Sequence, residues 1–449
     1  MDQIRGDIVT RTHEEDTTNY PETEMLKARL EWFQDMKIGV IFHWGLYSEA
    51  GIVESWQLSE EDEWAREGRS WRESVEVLQR DYWNLIETFN PVHYQPHMWA
   101  SLCQKAGIRY GILTTKHHDG FNLFNTEETG FKVGGKLSPC KRDLVGEFVE
   151  AFRAANLGVG AYYSKADWYS SYYWTDDGEK KGRTASYNPL AHPERWQKYV
   201  TFVHRQIHEL THHYGSIDLL WLDAGWCGQG KEDLDMDRLA EIAREKNPEL
   251  IMVDRMMGGR HENYVTPERK IPDESDIPNK PWESNIPLGN DWGYVPNDTF
   301  KSSEEIIGTV LEVVSKGGNV ILGVGPKPDG TITEEETQIL MDLGEFMSVY
   351  SEGIYGTRAL KNRVIDSGWY VTQTADAYYC FTKVNEGSTE NRLYLSELGI
   401  HDFAFSACVD MANHSELLLH TEGNQLVVTL PDCLIKTHGY WGFKLVKQN

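Results

Sequence analysis

The chain has 449 residues, 40% of them hydrophobic, and a formal net charge of −26. That length exceeds what one hydrophobic core usually organises, so a large unit plus a smaller one is expected. An acidic surface repels nucleic acid and anionic membranes, and no run reaches the ~20 apolar residues of a membrane span, so a neutral ligand fits best.

Met1 to Tyr20 is polar and charged, without the apolar centre of a secretory signal. Residues 1–27 therefore read as a charged tail, and the expected location is the cytoplasm. Apolar runs then recur, each closing on polar or glycine residues. Lys37 to Phe42 leads into His43-Trp44-Gly45, and Tyr110 to Thr115 leads into Lys116-His117-His118-Asp119-Gly120. Gly158 to Tyr162 runs into Tyr163-Ser164, Ile217 to Leu222 into Asp223, Leu250 to Val253 into Asp254-Arg255, and Gly318 to Leu322 into Gly323. Short runs of this kind fit strands buried on both faces, as in a parallel sheet.

Helical periodicity lies between them, at Leu144 to Ala155, Pro193 to Tyr214, Ser302 to Lys316 and Glu334 to Tyr350. The third of these opens with Ser-Ser-Glu-Glu, a capping-box pattern. Strand and helix alternate over 28–348, which predicts an α/β fold: a (β/α)8-like, TIM-type barrel. From about Gly353 the runs shorten and are split by turn residues, predicting an antiparallel β-sandwich over 353–449.

Six scattered cysteines (Cys103, Cys140, Cys227, Cys380, Cys408, Cys433) contain no C-x-x-C pair, which argues against a zinc ribbon or redox motif. They read as thiols of a reducing compartment. His117 and His118 are adjacent, so on a strand they point to opposite sides. No H-E-x-x-H pattern accompanies them, and no metal or cofactor is expected.

The strand-end residues carry the chemistry. In a β/α barrel these ends share one face, so His43, His117, His118, Tyr163, Asp223 and Arg255 should converge there. Asp223 emerges from the apolar run Leu219-Leu220-Trp221-Leu222, as a rigidly held glycosyl nucleophile would. The aromatic content, 12% with 16 Trp, suits a sugar site as well as a core.

These segments resemble the α-L-fucosidases of glycoside hydrolase family 29. The matching runs are Lys37-Ile-Gly-Val-Ile-Phe-His-Trp-Gly-Leu-Tyr-Ser48, Leu113-Thr-Thr-Lys-His-His-Asp-Gly-Phe121, Arg142-Asp-Leu-Val-Gly146, Asp218-Leu-Leu-Trp-Leu-Asp223, and the Lys-Gly-Gly-Asn run at 316–319. The resemblance covers about residues 28–360. It implies exo-release of terminal α-L-fucose with retention, no metal, and Asp223 as nucleophile. It also implies His43, His117, His118, Tyr163, Trp221 and Arg255 as sugar contacts. Glu54, Trp56 and Trp292 complete the candidate sugar-binding set. Many members read Ser-Glu-Trp where this chain has Glu54-Ser55-Trp56, which shifts Glu54 by one residue. Many also have Asn-Val where this chain has Gly323-Val324, read as a packing difference.

Three glutamates compete for the general acid/base. Glu283 is the first choice, because Trp282 beside it could supply the apolar wall that favours a protonated carboxyl. Glu268 is the alternative and Glu54 the third. The substrate class is a terminal α-L-fucoside on an oligosaccharide. A catalytically silent sugar-binding protein and an α-galactosidase-like enzyme are the rival readings, and self-association is left open.

Overall fold

The computed structural model describes residues 23–448 apart from 179, 256–260, 363, 365, 366, 385–391, 403 and 432. Residues 1–22 of the expected tail lie outside the described residues. From Glu24 the chain is helical: α1 (Glu24–Met36) starts where the Thr23 hydroxyl accepts from Leu26 N–H at 3.1 Å. Leu26, Leu30 and Phe33 recur at helical spacing and are buried together with Tyr110 and Tyr264. Residues 24–27 are thus part of a packed helix, because that apolar stripe has a surface to cover.

Seven parallel strands follow: β1 (Ile38–Phe42), β2 (Tyr110–Lys116), β3 (Gly158–Ser164), β4 (Leu219–Asp223), β5 (Ile251–Asp254), β6 (Glu283–Pro287) and β7 (Asn319–Val324). Their order in the sheet is β5-β4-β3-β2-β1-β7-β6. Between β1 and β2 lie α2 (Leu46–Ala50), α3 (Val75–Asn84) and α4 (Pro96–Ala106). Then α5 (Leu144–Ala154), α6 (Pro193–His213), α7 (Met236–Arg244), α8 (Ser303–Ser315) and α9 (Glu334–Tyr350) alternate with the remaining strands or follow them. The capping box expected at the start of α8 is formed by Ser302 and Glu305.

Side chains alternate along each strand and sort into two cores. Val40, Phe42, Leu220, Leu222 and Leu322 pack on the helix side. Ile41, Tyr162, Trp221, Val253 and Ile321 form the second cluster on the other face. This parity decides which strand-end residues can meet.

The sequence predicts an eight-stranded barrel, whereas the ladder has seven strands with β5 and β6 at its edges. Between those edges runs the segment 263–269. Asn263 N–H donates to Met252 O of β5 at 2.9 Å, Glu283 N–H to Val265 O at 2.9 Å, and Asn285 N–H to Pro267 O at 3.0 Å. Pro267 has no N–H, so the segment cannot form a regular ladder. β6 itself was invisible in the apolar pattern because its sequence is Glu-Ser-Asn-Ile-Pro.

The C-terminal part is antiparallel, as expected. β8 (Arg358–Ala359), β9 (Trp369–Gln373), β10 (Ala377–Lys383), β11 (Arg392–Tyr394), β12 (Phe405–Asp410), β13 (Leu419–Glu422), β14 (Gln425–Thr429) and β15 (Tyr440–Lys447) form two sheets. One is β12-β15-β10-β9-β8 and the other β11-β14-β13. Val371, Cys380 and Phe443 of the first share a core with Leu393 and Val428 of the second. Phe381 and Tyr440 meet Tyr350 and Phe346 of α9 edge-on, which seats the sheets against the α/β part. Among the described residues no helix is long and apolar enough to cross a membrane.

Candidate active site

Parallel strands place all their C-terminal ends on one side, and the loops that follow them enclose a recess there. It is lined by Ile41, His43, Glu54, Trp56, His117, His118, Trp221, Asp223, Arg255, Glu268, Asn285 and Trp292, and holds about 380 Å³ including its mouth.

Asp223 ends β4 and is 9% exposed. Tyr162 O–H donates to its Oδ2 at 2.5 Å, Arg255 Nη1 donates to its Oδ1 at 3.2 Å, and His118 Nε2 stands 3.8 Å from Oδ2. Burial alone would raise its pKa. The Arg255 guanidinium and the Tyr162 hydroxyl oppose burial, and the carboxyl is held well below the usual carboxylate range. Asp223 is therefore an anion near neutral pH, with its oxygens held by two donors. The residue behind it, Ala224, has φ 67°. A left-handed non-glycine residue is costly, and strain of this kind concentrates at functional sites.

Three histidines flank the anion. Burial lowers the pKa of His43 and His118 well below the ordinary value and that of His117 to about 4, so all three are neutral near pH 7. The Ser164 hydroxyl donates to Ala166 O at 2.7 Å, while its oxygen lies 2.6 Å from His118 Nδ1. The serine proton is thereby spent, so His118 Nδ1–H donates and Nε2 faces the recess as an acceptor. His117 Nδ1 is 2.5 Å from Ser55 Oγ. The His43 ring stacks on that of Trp292, with centroids 5.1 Å apart and planes inclined by 27°.

Glu268, in the segment between β5 and β6, bonds Arg255 Nη2 through one oxygen and accepts from Trp292 Nε1 at 3.1 Å through the other. Glu54, with φ 35°, accepts from the backbone N–H groups of Trp292 and Gly293 at 2.7 and 2.9 Å. Despite its one-residue shift in sequence, Glu54 still lines the recess. Trp56 meets the His118 ring at 4.9 Å, and Trp221 lies 4.6 Å from the Arg255 guanidinium carbon. A Cβ on Gly323 would come within 2.5 Å of the Trp292 ring, so the glycine there lets that indole lie across β7.

Two expected site residues lie elsewhere. Tyr163 is the outward neighbour of Tyr162; it faces α6, where its O–H donates to Gln206 at 2.8 Å. Tyr162 takes the position at Asp223. Glu283 opens β6, at the opposite end of the strand from the recess. It is fully buried and accepts from Tyr110 O–H, and burial pushes it up to about 8. Its surroundings are Tyr110, Tyr264 and Trp221 rather than Trp282, which packs in the outer core, and it is walled off from the recess. Tyr162, Ser55, Ser164 and Asn285 were missed. Register decides Tyr162 and Ser164: Ser164 pairs with Asp223 and Tyr162 with Trp221, so both lie on the inner face.

His117, His118 and Asp223 offer ligand atoms within 4.8 Å of one another, a set able to hold a metal ion. The fit is poor, since a cation there would stand beside the Arg255 guanidinium already bonded to Asp223.

Residues 8–352 match the alpha-L-fucosidase family. The chain belongs to this family of glycoside hydrolases. Tissue alpha-L-fucosidase of Rattus norvegicus is 28% identical over 80% of this chain and 78% of its own length. Alpha-L-fucosidase isoenzyme 1 from Paenibacillus thiaminolyticus superposes with TM-score 0.79 at 28% identity, covering 95% of this chain and 100% of its own. Thermotoga maritima alpha-fucosidase in complex with a mechanism-based inhibitor gives TM-score 0.73 at 28% identity, covering 96% and 100%. The chain is therefore an alpha-L-fucosidase-family enzyme, and the recess is where its family resemblance and its charged strand ends coincide.

Proposed function

We propose that this enzyme releases terminal α-L-fucose from oligosaccharides with retention of configuration, through a fucosyl ester on Asp223. The observation that carries the reading is the setting of Asp223: a buried anion at a strand end, held by Tyr162 and Arg255 in a recess lined by histidines, tryptophans and two further carboxylates. A nucleophile must be ionised and rigid, and this one is both. The Thermotoga relative, bound to a mechanism-based inhibitor, supports a covalent route.

Glu268 takes the acid/base role in place of Glu283. Of the other two carboxylates in the recess, Glu54 is fixed by two backbone donors, which suits an acceptor for sugar hydroxyls better than a proton carrier. Glu268 shares Arg255 with Asp223. One cation thereby holds both carboxylates in the recess, as a nucleophile and its acid/base partner require. Glu268 would thus protonate the departing oxygen in the first step and deprotonate water in the second.

Neutral His43, His117 and His118 supply hydrogen bonds to hydroxyls without adding charge to the site. Ile41, Trp221 and Trp292 offer an apolar wall. The catalytic unit is read as a barrel over about 28–348, closed between β5 and β6 by the 263–269 segment, with the sandwich over 353–449 appended. The test is hydrolysis of 4-nitrophenyl α-L-fucoside followed by proton NMR. First-formed α-fucose supports the proposal. First-formed β-fucose, or no turnover of any aryl α-L-fucoside, overturns it.

A further inference from the structure

The inner face of the sheet is layered, and one layer carries a polar residue out of keeping with its neighbours. Ile41, Tyr162, Trp221, Val253 and Ile321 cluster on this face. Asn285 of β6 pairs in register with Ile321, and Ile286 beside it packs with the outer core, so Asn285 faces inward with that layer. It is 1% exposed and lines the recess. Neither Nδ2 nor Oδ1 of its amide has a hydrogen-bond partner among the described residues. A buried amide left unmatched on both its donor and acceptor is costly, and such groups are rare in folded proteins.

The amide's place in the recess says what it would meet. A pyranose with its anomeric carbon at Asp223 and Glu268 must turn its three ring hydroxyls toward the polar side formed by His43, Glu54, His117 and His118. Of the lining that remains, Ile41 and Trp221 are apolar and Asn285 is not, and these face the C5 substituent. Fucose puts a methyl group there. A wall for a methyl needs no donor or acceptor, yet Asn285 brings one of each.

We infer that the site also takes α-L-galactosides, the same sugars with a hydroxyl on C6, and that Asn285 is the residue that accepts them. This inference rests on the fucosidase reading above. The C6 hydroxyl donates to Asn285 Oδ1 or accepts from its Nδ2, so its burial is compensated rather than penalised. The chemistry is unchanged. A carboxylate oxygen of Asp223 bonds C1 as the C1–O1 bond breaks, and the leaving oxygen takes the proton of Glu268. Water then cleaves the ester, giving its proton back to Glu268 and releasing L-galactose.

The experiment compares kcat/KM for 4-nitrophenyl α-L-galactoside and α-L-fucoside in the wild-type enzyme and in Asn285→Val. An apolar wall discriminates against an added hydroxyl by ~10²-fold. The wild-type ratio should instead lie within about tenfold, and Asn285→Val should lower the galactoside-to-fucoside ratio by about tenfold, one hydrogen bond's worth. Fucoside turnover with the galactoside more than about 100-fold worse overturns this inference alone. So does an unchanged ratio in the variant. Turnover of neither glycoside overturns the fucosidase reading and this one with it. Should Asn285→Val fail to fold, inhibition of the wild-type enzyme by free L-galactose and L-fucose decides: comparable inhibition constants support the inference, and ~10²-fold weaker inhibition by L-galactose overturns it.

Discussion

Asp223 and Glu268 are held by the two ends of one guanidinium: Arg255 Nη1 bonds the first carboxylate and Nη2 the second. Residues 45 positions apart in sequence are thereby fixed on either side of a single cation, itself lying over the Trp221 ring. A charge on one is felt by the other, and four expectations follow from their roles and surroundings.

Replacing Asp223 by Ala or Gly should lower turnover of an aryl α-L-fucoside by ~10⁴-fold or more, the scale of losing a covalent nucleophile. Binding of L-fucose, measured by calorimetry, should suffer far less. A variant within tenfold of wild-type activity would show that another group attacks C1.

Glu268→Ala should lose most activity on poor leaving groups and little on activated ones, and azide should restore turnover through β-fucosyl azide. Glu283→Gln should show neither pattern, because its carboxyl is buried at the far end of β6. Rescue of a Glu283 variant by azide would reverse the assignment made here.

Tyr162→Phe removes a 2.5 Å hydrogen bond to a buried carboxylate. Bonds to charged groups contribute about 1.5–3 kcal/mol, so kcat/KM should fall by ~10- to 100-fold. Tyr163→Phe removes a bond to Gln206 on the helix side and should cost about 1 kcal/mol of stability with kinetics unchanged. Equal kinetic effects of the two substitutions would mean that strand parity does not govern the site.

Burial keeps Glu283 protonated to about pH 8 in the folded state, whereas the unfolded chain loses that proton near pH 4.3. Between these values the unfolded state binds fewer protons, so this group's contribution to stability is full below pH 4.3 and is lost as pH rises toward 8. Gln does not titrate. The melting temperature of Glu283→Gln relative to wild type should therefore be higher at pH 8 than at pH 5. An equal difference at both values would mean that Glu283 is ionised in the fold.

The alternation of apolar runs and helical stripes, the change of style near Gly353, and the polar residues at strand ends were all legible in the sequence, because each is written in local periodicity. Asp223, His43, His117, His118 and Arg255 could be named from position alone: a parallel strand's end must reach the same face as its neighbours' ends. Glu54, Trp56 and Trp292 entered as candidates, and the arrival of Trp292 in the recess depended on Gly323 yielding room for an indole. Which member of each adjacent pair faced inward was not local information. Tyr162 and Tyr163 differ only in parity, and parity is set by the pairing of β3 with β4. β6 carried no apolar signature, so the depth of Glu283 and the inward turn of Asn285 came only from its register with β7. Composition determines that a strand can be buried. The register of its neighbours determines what each of its side chains is buried against, and here that choice set Glu268 in the recess and Glu283 beneath it.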